Sequence, residues 1–137
     1  MADFYQEEPV SDITAGRLIV LGHSVVDAKR ILPRGTSDHT HLAKSARLRR
    51  ILLTTNAKDF RLLHAAWRDW FLEWGAPPYP RHAGILIIPR PPLLSPIAGA
   101  ELVHTFVASL PTGENLDNRL FWWTSGLGWR EDPSAAT

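Results

Sequence analysis

The 137-residue chain contains no cysteine, which excludes a disulfide scaffold and any zinc site with thiolate ligands. Its 15 basic and 14 acidic side chains give a net charge of +1, so no field of one sign points to nucleic acid or a membrane surface. No apolar run approaches the roughly 20 residues of a membrane span. Asp3, Glu7 and Glu8 occur where a secretory signal needs basic and then apolar residues. We therefore expect a cytoplasmic protein that makes no membrane contact.

Two common catalytic signatures are missing as well. The sequence has no glycine-rich phosphate loop and no nucleophile elbow, which argues against P-loop nucleotide hydrolases and α/β-hydrolases. Hydrophobic residues make up 45% of the chain and charged residues 21%, which is the composition of an ordinary globular protein with one core. We place a single domain at residues 1–130 and expect residues 131–137 to form a disordered tail.

Short apolar or β-branched runs alternate with helical patterns along the chain. Such alternation implies parallel strands joined by right-handed crossovers, with helices on both faces of the sheet. We therefore predict an α/β fold, a three-layer α/β/α sandwich with a mainly parallel sheet. Strands are expected at Phe4-Tyr5, Ser24–Val26, Ile51–Thr54 and Gly84–Ile88, helices at 13–21, 38–48, 60–74 and 97–110, and a last strand or a helical turn at Leu116–Thr124.

The helix expected over residues 60–74 carries a wide apolar stripe, because large apolar side chains recur at three- and four-residue spacing. Such a stripe predicts burial in the core of the monomer or at a contact with a second copy of the chain, as a homodimer. Trp70 lies at the edge of the stripe and is expected to stay exposed for a partner. The side chains predicted to be buried are Phe60, Leu63, Trp67, Phe71 and Trp74.

Acidic side chains follow the predicted strands. Glu7 and Glu8 come after the first strand, Asp38 begins the helix after the second strand, and Asp59 comes after the third. The C-terminal ends of parallel strands meet at one crevice, so these carboxylates are expected to converge. Carboxylate oxygens are the ligands that magnesium and manganese prefer. The pattern predicts metal-assisted phosphodiester hydrolysis, in which the ion activates water and neutralises charge on the phosphate.

Each aspartate also has a structural interpretation, which stays open. Asn56 and Asp59 have the spacing of a capping box in which Asp replaces the usual Glu or Gln. Ser37 and Asp38 form an N-cap followed by a first-turn acid, which the helix dipole favours. Capping and metal ligation are compatible, because a first-turn side chain can still face the crevice.

The histidines are expected to be structural. His39 and His41 are two residues apart and do not share a helix face, so a zinc site is not expected there. His64 lies at the margin of the apolar stripe, where a hydrogen-bonded role is favoured over a catalytic one. His23 and His82 each come shortly before a predicted strand and receive the same interpretation.

Six short motifs occur in order along residues 3–110. They are Phe4–Glu8, Leu21–Val25, Gly35–Asp38, Thr54–His64, Trp67 and His82–Ile85. The first ends a strand with two acids, the third is a Gly-Thr-Ser-Asp turn, and the fourth is a Thr-x-Asn-x-x-Asp-Phe-x-x-Leu-His run. In this order the motifs resemble the compact single-domain PIN-like proteins, relatives of PIN-domain ribonucleases that often occur as toxins beside an antitoxin.

The resemblance implies a PIN-like α/β/α sandwich and RNA cleavage that depends on magnesium or manganese. It also implies RNA as the substrate and an antitoxin protein as a partner. Carried over by position, the resemblance assigns catalysis to Glu7, Asp38 and Asp59, metal binding to these three and Glu8, and substrate binding to Asn56 and Lys58.

Two positions depart from the PIN-like pattern. Glu7 stands where the family has Asp, which moves the carboxylate outward by one methylene, and His39 stands where an acid usually follows the Ser-Asp pair. Magnesium requires near-ideal geometry at short distances, so either change can weaken metal binding. Three functions stay open: a metal-dependent ribonuclease, a catalytically degenerate PIN-like protein acting as a protein-binding module, and an unrelated small α/β enzyme for another phosphate ester.

Overall fold

This computed structural model describes the backbone of residues 1–74 and 81–132 and the side chains of residues 1–69 and 81–132. The strands are β1 (Asp3–Gln6), β2 (Ser24–Asp27), β3 (Ile51–Thr54), β4 (Ile85–Ile87), β5 (Leu120–Thr124) and β6 (Gly128–Glu131). The helices are α1 (Asp12–Val20), α2 (Ala28–Ile31), α3 (Asp38–Arg47), α4 (Ala57–Trp74) and α5 (Pro96–Ala108). No helix in these ranges is long and apolar enough to cross a membrane.

The strands form one six-stranded sheet in the order β2-β1-β3-β4-β5-β6. The first five strands are parallel, with Phe4 opposite both Val25 and Ile51, and Leu86 opposite both Leu53 and Phe121. The predicted mainly parallel α/β sheet is therefore confirmed. Strand β6 was not predicted, and it pairs antiparallel with β5 across a short turn.

The β5–β6 pair also extends the ordered chain beyond residue 130, where the sequence analysis placed the end of the domain. Glu131 belongs to β6, and the Asp132 backbone N–H donates to the Leu120 carbonyl at 2.9 Å. Asp132 is buried, because strand pairing holds it against the sheet. The rest of the predicted tail, residues 133–137, lies outside the described residues.

Alternate residues of the central strands pack on opposite faces of the sheet, as the period of two requires. One core contains Phe4, Leu53 and Leu86 with Leu18 of α1 and Val103 of α5. The other contains Tyr5, Leu52 and Ile85 with Leu42 of α3 and Phe60 of α4. Helices therefore cover both faces, which is compatible with a three-layer sandwich.

Helix α4 buries its apolar stripe against the sheet where the side chains are described. Phe60 is fully buried, and Leu63 and Trp67 are half-buried against the core around Tyr5. This agrees with the predicted burial of the stripe in the monomer. The side chains of Trp70, Phe71 and Trp74, for which burial or exposure was also predicted, lie outside the described residues.

His64 and His82 form a buried pair beneath α4, with Nδ1 of His64 2.9 Å from Nε2 of His82. The Gly84 backbone N–H donates to His82 Nδ1 at 3.0 Å, so the His82 proton lies on Nε2 and is donated to His64. Burial lowers the pKa of His82 to about 3 and that of His64 to about 4, so both rings are neutral at physiological pH. His82 is therefore hydrogen-bonded at both ring nitrogens, whereas His64 is hydrogen-bonded at Nδ1 and its buried Nε2 has no partner in the described residues.

Candidate metal centre

The candidate site lies at the edge of the sheet where β1 and β3 end. Glu7 and Glu8 directly follow β1, while α3 begins at Asp38 and α4 begins just after Asn56. Because β1 and β3 are parallel neighbours, their C-terminal ends lie side by side. The chain topology therefore brings acids from separate segments to this edge of the sheet, where Glu7 and Glu8 share a group of close ligand atoms that does not include Asp38 or Asp59.

Glu7 is the buried member of the site, with 4% of its surface exposed. Its backbone N–H donates to the Leu53 carbonyl at 3.0 Å, and its Oε1 accepts a hydrogen bond from the Thr54 hydroxyl at 2.7 Å. Burial raises the pKa of Glu7 to about 7, and the charges of Asp38 and Glu8 add to the rise while the Thr54 hydrogen bond opposes it. The Thr54 hydrogen bond thus holds the Glu7 side chain in place, while burial and the neighbouring acids oppose its ionisation.

Asp38 and Asp59 are linked through one amide group. Asn56 Nδ2 donates to Asp59 Oδ2 at 3.0 Å and lies 3.5 Å from Asp38 Oδ2. Burial raises the pKa of Asp38, and the negative charges of Asp59 and Glu8 raise it further. The two aspartates that the sequence placed in one site are therefore held together by Asn56.

Helix capping accounts for these acids only in part. The Asp59 backbone N–H donates to Asn56 Oδ1 at 3.4 Å, which is one half of a capping box. The Asn56 N–H donates to the Thr54 hydroxyl at 3.0 Å instead of to the Asp59 carboxylate. Ser37 occupies the N-cap position of α3 but makes no side-chain cap hydrogen bond. The Asp59 carboxylate therefore does not complete the capping box, while Asp38 and Asp59 both lie in the first turn of their helices, where the helix dipole favours an acid.

Glu8 attaches the turn before α3 to the end of β1. The Gly35 backbone N–H lies 3.2 and 3.4 Å from the two carboxylate oxygens of Glu8. Gly35 has φ +79°, in the left-handed region where glycine is favoured, which lets the chain bring its N–H to the carboxylate. This contact helps to bring the first turn of α3, with Asp38, to the same edge of the sheet.

His41 is a member of the site that the sequence analysis missed. Its ring is fully buried on α3, with Nδ1 2.8 Å from the Tyr5 hydroxyl and Nε2 3.7 Å from Glu8 Oε1. Glu7, Glu8 and His41 each offer one ligand atom, and these atoms lie within 4.8 Å of one another. The available signal was the spacing to Asp38, because residues three apart share a helix face.

Few positively charged side chains neutralise the acids of the site. In the described part of the chain, no lysine or arginine forms an ion pair with Glu7, Asp38 or Asp59. Lys58, which the resemblance assigns to substrate binding, is exposed in the first turn of α4. Burial lowers the pKa of His41, so its ring is mainly neutral at physiological pH. Within this cluster, Glu7, Glu8 and His41 could hold a metal ion.

Comparison of the chain with protein-family models, with curated proteins and with solved structures finds no match. The kinship with PIN-like proteins therefore rests on the ordered motifs in the sequence and stays a prediction. The carboxylate site is an independent observation, because it follows from the coordinates alone.

Proposed function

We propose that this protein is a ribonuclease of PIN-like type that depends on magnesium or manganese, acting as the toxin of a toxin–antitoxin pair. The observation that carries the proposal is the group Glu7, Glu8 and His41, whose ligand atoms lie within 4.8 Å of one another, with the Asp38–Asn56–Asp59 link within electrostatic range of it. Buried and crowded carboxylates cost folding free energy. A site that retains them is accounted for by a bound cation.

The donor groups fit the proposed ion. Carboxylate oxygens are hard ligands suited to magnesium and manganese. Glu7 and Glu8 have oxygens close enough to share one ion, and Asp38 and Asp59 would act on it through ion-bound water. The ion supplies Lewis-acid activation of water and charge neutralisation at the phosphate. Thr54 fixes Glu7, and Asn56 fixes both aspartates, so the residues are positioned before substrate arrives.

The site combines a buried acid with exposed side chains that a long substrate such as RNA could reach. Glu7 is buried, whereas Asp59 and Lys58 are exposed at the start of α4. We propose that Lys58, exposed in the first turn of α4, contacts a phosphate of the RNA backbone. The assignment of RNA as the substrate, and of an antitoxin as the partner, is supported by the resemblance to PIN-like proteins.

The Asp59→Asn variant separates a catalytic from a structural role of this carboxylate. We expect RNA cleavage to fall on the order of 100-fold, because the change removes ligand charge from the site. The free energy of unfolding should change by less than about 0.5 kcal/mol, because Asp59 is exposed and asparagine can still accept the Asn56 amide hydrogen. Cleavage of a labelled RNA and urea unfolding measure the two effects.

The Asp69→Asn variant is the matched control, because Asp69 is an exposed aspartate on the same helix. It should leave both cleavage and stability unchanged. A purely structural Asp59 would give the reverse pattern, with a loss of stability and wild-type cleavage. That result would remove Asp59 from the site.

A further inference from the structure

We infer that His41 is a nitrogen ligand of the bound ion, and that its ring makes the position beside β1 selective for manganese over magnesium. The inference rests on the metal site of the proposed function, but it does not depend on RNA cleavage. The supporting observations are the contacts of the buried His41 ring.

The first observation is a buried nitrogen without a hydrogen-bond partner. His41 has no exposed surface, and its Nε2 forms no hydrogen bond in the described part of the structure. A buried polar atom left unsatisfied costs free energy. Of the seven such atoms in the described residues, this one belongs to the group with Glu7 and Glu8. This nitrogen is directed at the acids, because Glu8 Oε1 lies 3.7 Å from it.

Neither neutral tautomer of the ring forms a hydrogen bond of normal length across this contact, and a protonated ring would make only a long ion pair. If Nε2 carried a proton, its separation of 3.7 Å from Glu8 Oε1 would still exceed hydrogen-bond length. If Nε2 is unprotonated, its lone pair faces a carboxylate oxygen, which is repulsive. An ion between the two atoms removes the repulsion. Ligand atoms on one ion, with bonds of about 2.0–2.2 Å, are about 3–4 Å apart, so the separation fits.

Tyr5 provides a partner for the tautomer that ligation needs. The Tyr5 hydroxyl lies 2.8 Å from Nδ1 of His41, and both side chains are fully buried. The Tyr5 hydroxyl can accept from Nδ1–H, which leaves the lone pair on Nε2, or donate to Nδ1, which places the proton on Nε2; ligation uses the first arrangement. Ligating histidines commonly have such a partner for their second nitrogen, which orients the ring and raises its basicity. Tyr5 is therefore a positioning residue.

The donor chemistry selects the ion. Imidazole nitrogen is a good ligand for transition metals, whereas magnesium favours oxygen ligands in near-ideal octahedral geometry. The set of Glu7, Glu8 and His41 is mixed, with one nitrogen and two carboxylates within 4.8 Å of one another. Asp38 and Asp59 around Asn56 provide oxygen donors only. Manganese accepts both kinds of donor, so it should bind the mixed set more tightly than magnesium does.

Electron spin-echo spectroscopy of the Mn²⁺-loaded protein tests the inference, because it detects nitrogen bonded to the ion. We expect ¹⁴N modulation in the wild type, its loss in His41→Gln, and its retention in His39→Gln, an exposed histidine two residues away. Titration calorimetry should show Mn²⁺ affinity reduced at least ~10-fold in His41→Gln, with Mg²⁺ affinity changed less than ~3-fold.

If His41→Gln does not fold, the same spectrum is recorded from wild-type protein in which the histidines carry ¹⁵N. A histidine ligand predicts that the ¹⁴N modulation is replaced by that of ¹⁵N, and no mutation is needed. Bound Mn²⁺ without ¹⁴N modulation in the wild type would overturn the inference, as would modulation that survives in a folded His41→Gln variant. Neither result bears on RNA cleavage in Mg²⁺, so failure of the nuclease proposal would be recognised separately.

Discussion

Replacing Glu7 by glutamine is expected to abolish metal-dependent RNA cleavage and, at the same time, to stabilise the metal-free protein. Glu7 is buried beside other acids, and glutamine removes its charge while its Oε1 can still accept the Thr54 hydroxyl. Cleavage should fall by at least about 100-fold, because a buried ligand charge is lost. Stability of the metal-free protein at pH 8 should rise by about 1–2 kcal/mol, after allowance for solvent screening.

The pH dependence of this gain has a definite sign. The pKa of Glu7 is raised to about 7 in the folded protein from an ordinary value of 4.5, so the folded state binds the proton more tightly than the unfolded state does. The stabilising effect of protonation is complete below pH 4.5 and is lost as the pH rises through 7. The advantage of Glu7→Gln should therefore be absent at pH 4.5, grow between pH 4.5 and 7, and level off above pH 7.

Urea unfolding of wild type and variant in chelator, at several pH values, measures the gain. Glu7→Asp is the matched control, because it shortens the side chain by one methylene but keeps the charge, so it should show no gain at pH 8. If Glu7→Gln is less stable than wild type at every pH, Glu7 is a structural residue. The buried charge of Glu7 would then not be explained by metal binding.

Gly84→Ala is expected to cause the largest loss of stability. Gly84 has φ +120°, a conformation that side chains rarely allow, and an added Cβ would lie 2.7 Å from the Leu116 Cβ and 3.2 Å from the Leu116 carbonyl oxygen. Its N–H also donates to His82, which anchors the backbone. Backbone strain and overpacking together should cost about 3–5 kcal/mol. The close approach of Leu116 just before β4 therefore explains why the His-Ala-Gly-Ile motif has glycine at this position.

Chemical denaturation of three glycine variants separates the two causes. Gly22→Ala has a comparable φ of +97° but nothing within 4 Å of the new Cβ, so it should show the strain alone, about 1–2 kcal/mol. Gly16→Ala lies in open space within α1 and should stabilise by about 0.5–1 kcal/mol. Equal losses of unfolding free energy in Gly84→Ala and Gly22→Ala would show that Leu116 moves away from the new Cβ without destabilising the protein.

The central sheet was predictable because its strands are short apolar runs between clear helical patterns. Ile51, Leu52 and Leu53 form a continuous apolar run, as a strand covered on both faces requires, and α4 follows this strand with a stripe of helical period. The β5–β6 hairpin was not predictable in the same way. Its β6 strand is half polar, Gly-Trp-Arg-Glu, and only pairing with β5 makes it a strand.

The site was predictable where topology alone decides it. The acids after parallel strands had to lie at one edge, and the structure places Asp38 and Asp59 on the same Asn56 amide. His41 was not identified, because its role depends on which side chain faces Tyr5 and Glu8. Helix period alone places a residue on a face of α3, but it does not specify what that face contacts.

RNA cleavage by the folded, antitoxin-free protein is the most direct test of a metal-dependent nuclease. A labelled RNA is incubated with the protein in Mg²⁺, in Mn²⁺ and in excess chelator, followed by addition of ion to the chelated sample. We expect cleavage with either ion, none in chelator, and recovery when the ion is restored, because the carboxylates of Glu7, Asp38 and Asp59 then have their counterion. Protein that is folded but cuts no RNA in either ion, or that cuts equally well in chelator, would contradict the account.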